Sequence, residues 1–348
     1  MTFEPKLSSQ VSIVVVNYNG ERNIDNCLES VLSGIECDAE LLVVDNASQD
    51  SSCQKLTEIA EKNKRVRVVF SPKNLGYAGA INYALKYVSG KYLAVLNMDL
   101  LVEKSWLQPL VNFLDDNPDV AAVTPLVVLM DRNLVNAAGQ NIHITGLGFN
   151  RGLGESIDAF GEKPFAVSGL HGCAFVTRTQ LLKDIGGFDE AGFLYHEDVN
   201  MSWFLRLLGF ELYCVPGSVV YHDYFLSMYP AKFYLLERNR IAMLFTYLKY
   251  STLMLILPFV ILTEIMSWGF SFLRGAPFLK AKIKSYLWVV RHRLLIGRRR
   301  SWAQQKRKVS DWKVLSSLRL QYDWSQFKVL GREGGKALRE PKDGLTVK

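Results

Sequence analysis

The chemistry of this chain is concentrated where apolar runs stop. Tyr92-Leu-Ala-Val-Leu-Asn97-Met98-Asp99-Leu100 is a short β-forming run after Gly90 that ends in a carboxylate. An acidic group released at the carboxyl end of a buried parallel strand faces the crevice in which open α/β sheets bind ligands. There it can hold a hard cation that bridges a phosphate. The same residue also suits the start of a turn into a helix over Ser105–Leu114, and the stretch alone does not choose between the two. Asp45, at the tip of Leu41–Val44, can accept from the N3 imide of uracil or thymine, or form an Asx turn with Asn46 and Ser48. Asn74-Leu75-Gly76-Tyr77-Ala78-Gly79-Ala80 opens a helix with small residues, so backbone amides can approach a phosphate or ribose. That loop lacks the GxGxxG dinucleotide fingerprint and follows the third strand rather than the first; small residues there also permit close helix packing.

Farther along, Tyr195-His196-Glu197-Asp198 follows the turn Gly186-Gly187-Phe188-Asp189-Glu190. It precedes a helix whose buried stripe is Met201, Leu205 and Leu208 and which Gly209 ends. Carboxylates in a first helical turn are stabilised by the helix dipole. Two adjacent ones exceed what a cap needs, and a base that deprotonates an acceptor hydroxyl belongs at such a site. His222 closes Val219-Val220-Tyr221 and either serves the fold or completes a carboxylate metal site.

These residues need a scaffold that brings strand ends together. Val11–Val16 predicts a first strand; Ile24, Cys27, Leu28, Val31 and Leu32 mark a helix face closed by Gly34. Leu41–Val44 is a second strand and Asp50-Ser51-Ser52 caps a helix through Ala60. Val66–Phe70 is a third strand, Ala78–Val88 a helix stopped by Gly90, and Leu170–Val176 a strand of small residues facing a cleft. Strands alternating with helices imply right-handed βαβ units and a doubly wound α/β sheet. Asn17, Asp45 and Asn97/Asp99 then stand at three of its strand ends.

At 348 residues, 49% hydrophobic and 22% charged, the chain can bury a large core. Its charge of +7 is uneven, with 12 Lys or Arg and no Asp or Glu from Arg274 to Lys308. Cys27, Cys37, Cys53, Cys173 and Cys214 form no CxxC pair, which suits a reducing compartment without structural zinc. Met1–Gln10 is polar and carries no apolar signal run, so a cytosolic site or the cytosolic face of a membrane is expected.

Together, Val-Ser-Ile-Val-Val-Val-Asn-Tyr-Asn-Gly (11–20), Leu-Leu-Val-Val-Asp-Asn-Ala-Ser (41–48), Asn-Leu-Gly-Tyr-Ala-Gly-Ala-Ile-Asn (74–82), Asn-Met-Asp (97–99), Gly-Gly-Phe-Asp-Glu (186–190) and His-Glu-Asp-Val-Asn (196–200) resemble family 2 glycosyltransferases. The likeness runs in matching order over roughly residues 10 to 225 and is greatest to the rhamnosyltransferase-like branch. It implies a GT-A fold, Rossmann-like with a mixed sheet, and inverting transfer from a nucleoside-diphospho sugar that needs Mg²⁺ or Mn²⁺. By the same resemblance Asp45 would bind the base, Asn74 and Gly76 would line the nucleotide pocket beside Asn17 and Asn97, and Asp99 and His222 would hold the metal. Asp198 would be the general base, with Glu197 its neighbour in the catalytic set. Asn97 departs from the family's Asp-x-Asp motif, as it often does in this branch, and would weaken metal affinity. No Gln-x-x-Arg-Trp motif follows, which favours a single transfer over polymerisation.

Past His222 the character changes. Phe233–Leu248 reads as an amphipathic helix, and Leu253–Leu273 is strongly apolar but interrupted by Pro258 and Glu264. That run is just long enough to span a bilayer and fits a re-entrant or interfacial helix equally well. The basic block after it, interleaved with Phe278, Tyr286, Leu287 and Trp288, has the composition of a membrane-surface segment. The expected domains are a catalytic one over 1–230, a helical membrane-associated region over 231–310, and a tail over 311–348, amphipathic and then loose from Gly331. The implied partners are a sugar nucleotide, a glycan or lipid-linked acceptor and a membrane surface, with no nucleic acid. A nucleotidyltransferase would want a glycine-rich basic loop after the first strand, which Asn17-Tyr-Asn-Gly-Glu-Arg does not offer. An inactive sugar-nucleotide binding module is the third reading, kept open by Asn97.

Overall fold

The computed structural model describes residues 10–36, 38–130 and 133–327; Gly331–Lys348, expected to be loose, and Cys37 lie outside them. Cys27, Cys53, Cys173 and Cys214 are free thiols. In chain order the elements are β1 (Val11–Asn17), α1 (Ile24–Ser33), β2 (Ala39–Asp45), α2 (Ser52–Lys62), β3 (Val66–Phe70), α3 (Gly76–Ala84), β4 (Tyr92–Asn97), β5 (Leu100–Val102) and α4 (Leu107–Asp116). Next come β6 (Val120–Leu129), β7 (Val135–Ala137), β8 (Gln140–Ile142), β9 (Gly148–Asn150), β10 (Phe165–Ala166), β11 (Ala174–Arg178), α5 (Thr179–Asp184), α6 (Glu197–Leu207) and β12 (Glu211–His222). Six helices follow: α7 (Pro230–Tyr247), α8 (Tyr250–Leu255), α9 (Leu257–Arg274), α10 (Ala276–Arg291), α11 (Arg293–Lys306) and α12 (Asp311–Leu315).

The described residues fall into a sheet unit, which runs to Gln140 and resumes over Asn150–Glu197 and Glu211–Tyr224, and a helical unit. The helical unit takes in Asn141–Phe149, Asp198–Phe210 and the chain from Phe225. It therefore draws residues from before the expected boundary at 230. The reason is aromatic packing: Phe204 of α6 stacks on Tyr247 of α7 and packs against Trp302 of α11.

In the sheet unit one mixed sheet runs in the order β10-β12-β6-β11-β4-β1-β2-β3, with β5 on β12 and β7 on β6. All seven residues of β1 are buried, as a central parallel strand covered on both faces requires. β1 pairs in parallel with β2 on one side and β4 on the other, aligning Asn17 with Asp45 and Val16 with Asn97. Strand order therefore reverses at β1, and the switch-point crevice opens at the carboxyl ends of β1 and β4.

Several boundaries differ from expectation. α3 starts at Gly76 and ends at Ala84, so the nucleotide-loop glycine is itself the first helical residue. β11 begins only at Ala174, leaving His171–Cys173 in the turn before it, where the Ala174 N–H donates to the His171 carbonyl at 3.3 Å. Val219–His222 is the end of a twelve-residue strand whose register against β6 shifts between Val215 and Val219, at Pro216-Gly217. The apolar run 253–273 is two helices, α8 and α9, parted at Ile256 just ahead of Pro258.

Candidate active site

The switch-point crevice is lined by the amides of Asn17 and Asn97 and the carboxylates of Asp45 and Asp99. Asn17 and Asp45 end their strands with no exposed surface. Asp45 Oδ2 accepts from Asn17 Nδ2 at 2.8 Å and from Ser48 Oγ at 2.6 Å. Its Oδ1 accepts from the Ser48 backbone N–H at 2.9 Å and from Cys53 Sγ at 3.2 Å. Both oxygens are thus engaged, and Asp45 holds the β2–α2 turn in the Asx geometry that was the alternative to base binding. Asn46 continues the network: its amide donates to Asn74 Oδ1 at 3.1 Å and the Gly76 carbonyl at 3.2 Å, and its oxygen accepts from the Leu75 N–H at 2.9 Å. Asn74 and Gly76 are positioned by this neighbour.

Three oxygens in the crevice are different. Asn17 Oδ1, Asn97 Oδ1 and Asp99 Oδ1 are buried and accept no hydrogen bond. A buried acceptor without a donor is costly, so such atoms mark a place for a cation or a ligand donor. Asp99 Oδ1 lies 3.5 Å from His222 Nε2. The His222 ring is oriented from behind, its Nδ1 2.9 Å from Asn136 Oδ1. The Asp223 N–H donates to the Asp99 carbonyl at 3.1 Å, tying the end of β12 to the turn after β4. Burial disfavours charge on His222, but Cys173 and the Asp99 carboxylate outweigh it and raise its pKa to about 10. His171 packs edge-on to His222 with ring centres 6.0 Å apart; burial first, and His222 second, push its pKa down to about 3.

The segment before α6 is strained. Phe193, Tyr195 and His196 all have positive φ, a conformation that costs non-glycine residues roughly 1 to 3 kcal/mol each and clusters at functional segments. It is clamped to α3: the Tyr77 N–H donates to the Phe193 carbonyl at 2.8 Å and Tyr77 Oη to the Gly172 carbonyl at 2.7 Å. Asn82 closes the Gly-Gly-Phe-Asp-Glu turn, donating to the Phe188 carbonyl and Glu190 Oε1 at 2.9 Å each and accepting from the Phe188 N–H at 2.8 Å. Glu197 and Asp198 begin α6, and Asp198 Oδ1 accepts from the Val199 N–H at 2.8 Å.

The family model for glycosyl transferase family 2 matches residues 12–186, half of the chain. The chain belongs to glycosyl transferase family 2. An uncharacterized glycosyltransferase of Haemophilus influenzae is 31% identical over 113 residues, 32% of this chain and 35% of that protein. An Escherichia coli UDP-Glc:α-D-GlcNAc-diphosphoundecaprenol β-1,3-glucosyltransferase is 38% identical over 89 residues, 26% of this chain and 34% of that one. The match therefore spans about a third of each relative. The structure of GalNAc-T7 with UDP, GalNAc and Mn²⁺ superposes with a TM-score of 0.59 at 18% identity, over 71% of this chain and 49% of that one. The fold of the family 2 domain is GT-A.

Among the described residues no group of three or more His, Cys, Asp or Glu side chains forms a metal cage. The donor set nonetheless fits a cation that also takes ligands from phosphate. Mg²⁺-type sites use one or two carboxylates and leave the remaining positions to substrate and water. Asn97 Oδ1, which accepts no hydrogen bond, and Asp99 Oδ1, whose neighbour is the His222 imidazole at 3.5 Å, meet that description. Asn136 Oδ1 accepts from the His222 Nδ1–H and so orients Nε2 toward Asp99, where a bound cation would replace the proton that the Asp99 carboxylate favours. No motif in the sequence points to Asn136, His171 or Cys173 beyond the spelling His-Gly-Cys for the latter two.

Proposed function

We propose that this family 2 chain is an inverting glycosyltransferase. It moves one sugar from a nucleoside-diphospho sugar to a hydroxyl of a glycan or lipid-linked acceptor at the cytosolic face of a membrane. The observation that carries this reading is the set of three buried oxygens of Asn17, Asn97 and Asp99 that accept no hydrogen bond at the switch-point crevice, the last of them paired with His222 at 3.5 Å. The Escherichia coli relative, which by its name acts on a diphosphoundecaprenol-linked sugar, supports a lipid-linked acceptor. The resemblance to the rhamnosyltransferase-like branch makes rhamnose the first sugar to try.

Inversion requires the acceptor oxygen to attack C1 from the face opposite the leaving nucleoside diphosphate. As the new C–O bond forms, Asp198 takes the hydroxyl proton, and the bond from C1 to the diphosphate oxygen breaks with its electron pair on that oxygen. Asp99 and His222, with Asn97, would hold a Mg²⁺ or Mn²⁺ ion, whose charge offsets that of the departing diphosphate. Glu197, its neighbour in sequence, is the second carboxylate at the start of α6 and the alternative base. Asp45, Asn46 and Asn74 fix the loops around the nucleotide, and Asn17 Oδ1 accepts from it.

Incubation of the full chain with labelled UDP-, GDP- and dTDP-sugars and a prenyl-diphosphate-linked sugar tests the proposal. Transfer with inverted configuration at C1 is expected. Pyrophosphate exchange in its place would show a nucleotidyltransferase, and donor binding without turnover an inactive module.

A further inference from the structure

Helix α9 is amphipathic in the opposite sense to a helix of a water-soluble core. Its polar residues point inward. Thr263 and Ser271 are fully buried, Thr263 Oγ1 donates to Thr145 Oγ1 at 2.9 Å, and Ser267 Oγ donates to Glu237 Oε2 at 2.8 Å. Glu264 pairs with Arg240 of α7 at 2.5 Å and with Lys282 of α10 at 2.7 Å, and accepts from Tyr286 Oη. Lys282 also pairs with Glu237. Its apolar residues point outward: Ile261, Leu262, Ile265, Phe272 and Leu273 are exposed, Ile265 at 63% and Leu273 at 89%. Of the candidate span Leu257–Arg274 only 11% is buried. Ile283, Leu287 and Val290 continue an exposed stripe along α10. Polar side chains paired inward with apolar ones outward are what hydrocarbon demands of a helix.

The charges around α9 say how it meets that hydrocarbon. Glu264 stands near the middle of α9 and is bonded to Lys282. Lys280 and Lys284, two residues to either side on α10, are exposed. Were α9 to cross a bilayer, those two ammonium groups would lie near its midplane without a carboxylate among the described residues to meet them. With α9 lying along the surface, the same lysines and the exposed Arg291 and Arg298 reach anionic headgroups.

We infer that the outer faces of α9 and α10 seat in one leaflet of an anionic phospholipid membrane, with α9 in the membrane plane rather than across it. This rests on the reading that the enzyme works at a membrane, and it fixes the manner of attachment. The full-length protein should bind vesicles of phosphatidylcholine mixed with phosphatidylglycerol more tightly than phosphatidylcholine alone, and salt should narrow the difference. Leu262→Glu with Ile265→Glu should lower partitioning by more than about tenfold. Because both side chains are exposed, circular dichroism and transfer to a water-soluble acceptor should be unchanged. The decisive measurement is depth, read by brominated-lipid quenching of a fluorophore on Ile261→Cys, Ile265→Cys or Phe272→Cys, corrected for label on the unsubstituted protein. Equal, shallow depths are expected. Depths graded by about 1.5 Å per residue would overturn the in-plane placement and leave the membrane reading standing. No vesicle binding, or coverage of the face by a second copy in lipid-free solution, would overturn both, while transfer to a soluble acceptor would still report on the chemistry.

Discussion

At the scale of single residues, the carboxylates divide into those that hold the fold and those left open to a substrate. Asp45 spends both oxygens on Asn17, Ser48 and Cys53. Asp45→Ala would leave those buried donors unpaired, and we expect thermal denaturation to show a loss of about 2 to 4 kcal/mol. A change in nucleotide affinity with stability intact would show that Asp45 contacts the base rather than holding the turn. Asp198→Asn keeps the shape of the side chain and its bond to Val199 but removes its basicity. Transfer should fall by about 10² to 10⁴-fold while donor binding, followed by calorimetry, stays near that of the parent. Should Glu197→Gln be the crippling change instead, the base is the neighbouring carboxylate. Asp99 at its strand end was legible in the sequence because an apolar run stops there. Asn136, which orients His222 from a three-residue strand, was not: nothing in Val-Asn-Ala foretells a contact across 86 positions.

At the scale of elements, the first half of the sheet unit could be read from periodicity, and the middle could not. β6 is ten residues long and central, yet it carries Pro125, which in a sequence argues against an inner strand. The register shift in β12 between Val215 and Val219 falls next to the Pro125 pairing and accommodates it. Only the last four residues of β12 have a strand pattern in the sequence, because Pro216-Gly217 interrupts the run. The helix after the nucleotide loop was foreseen, and its first residue explains the glycine there. Gly76 has φ +71°, and a Cβ would come within 2.1 Å of the Phe193 carbonyl oxygen. Gly76→Ala should therefore displace the loop that leads to Glu197, lowering stability by more than about 1 kcal/mol and turnover with it. A fully active, equally stable variant would mean that the α3 and Phe193 segments need not touch during catalysis.

At the scale of the whole molecule, composition announced a change of character after His222 but not the internal order of the helices. The pairing of Glu237, Arg240, Glu264 and Lys282 joins residues up to 45 positions apart, and no spacing rule reaches so far. Breaking a buried ion network from one side leaves uncompensated charge, so Lys282→Ala should destabilise the helical unit by about 3 to 5 kcal/mol in chemical denaturation. Burial would raise the Glu237 carboxyl, but Arg240 and Lys282 outweigh it and hold it down to about 2. Its folded value lies below the unfolded one of about 4.3, so its contribution is complete above that pH and is lost as pH falls toward about 2. Hydrogen exchange in α7 and α10 should accelerate over that interval; exchange indifferent to pH there, after correction for intrinsic rates, would place the stability of this unit elsewhere. The central claim concerns turnover by the complete chain, and nucleoside diphosphate release from the donor it accepts tests it most directly. With parent protein and Asp99→Asn in parallel, release should stop in excess chelator, return when Mn²⁺ or Mg²⁺ is restored, and stay absent in the variant although it folds. Undiminished release in chelator, or from Asp99→Asn, would contradict the account.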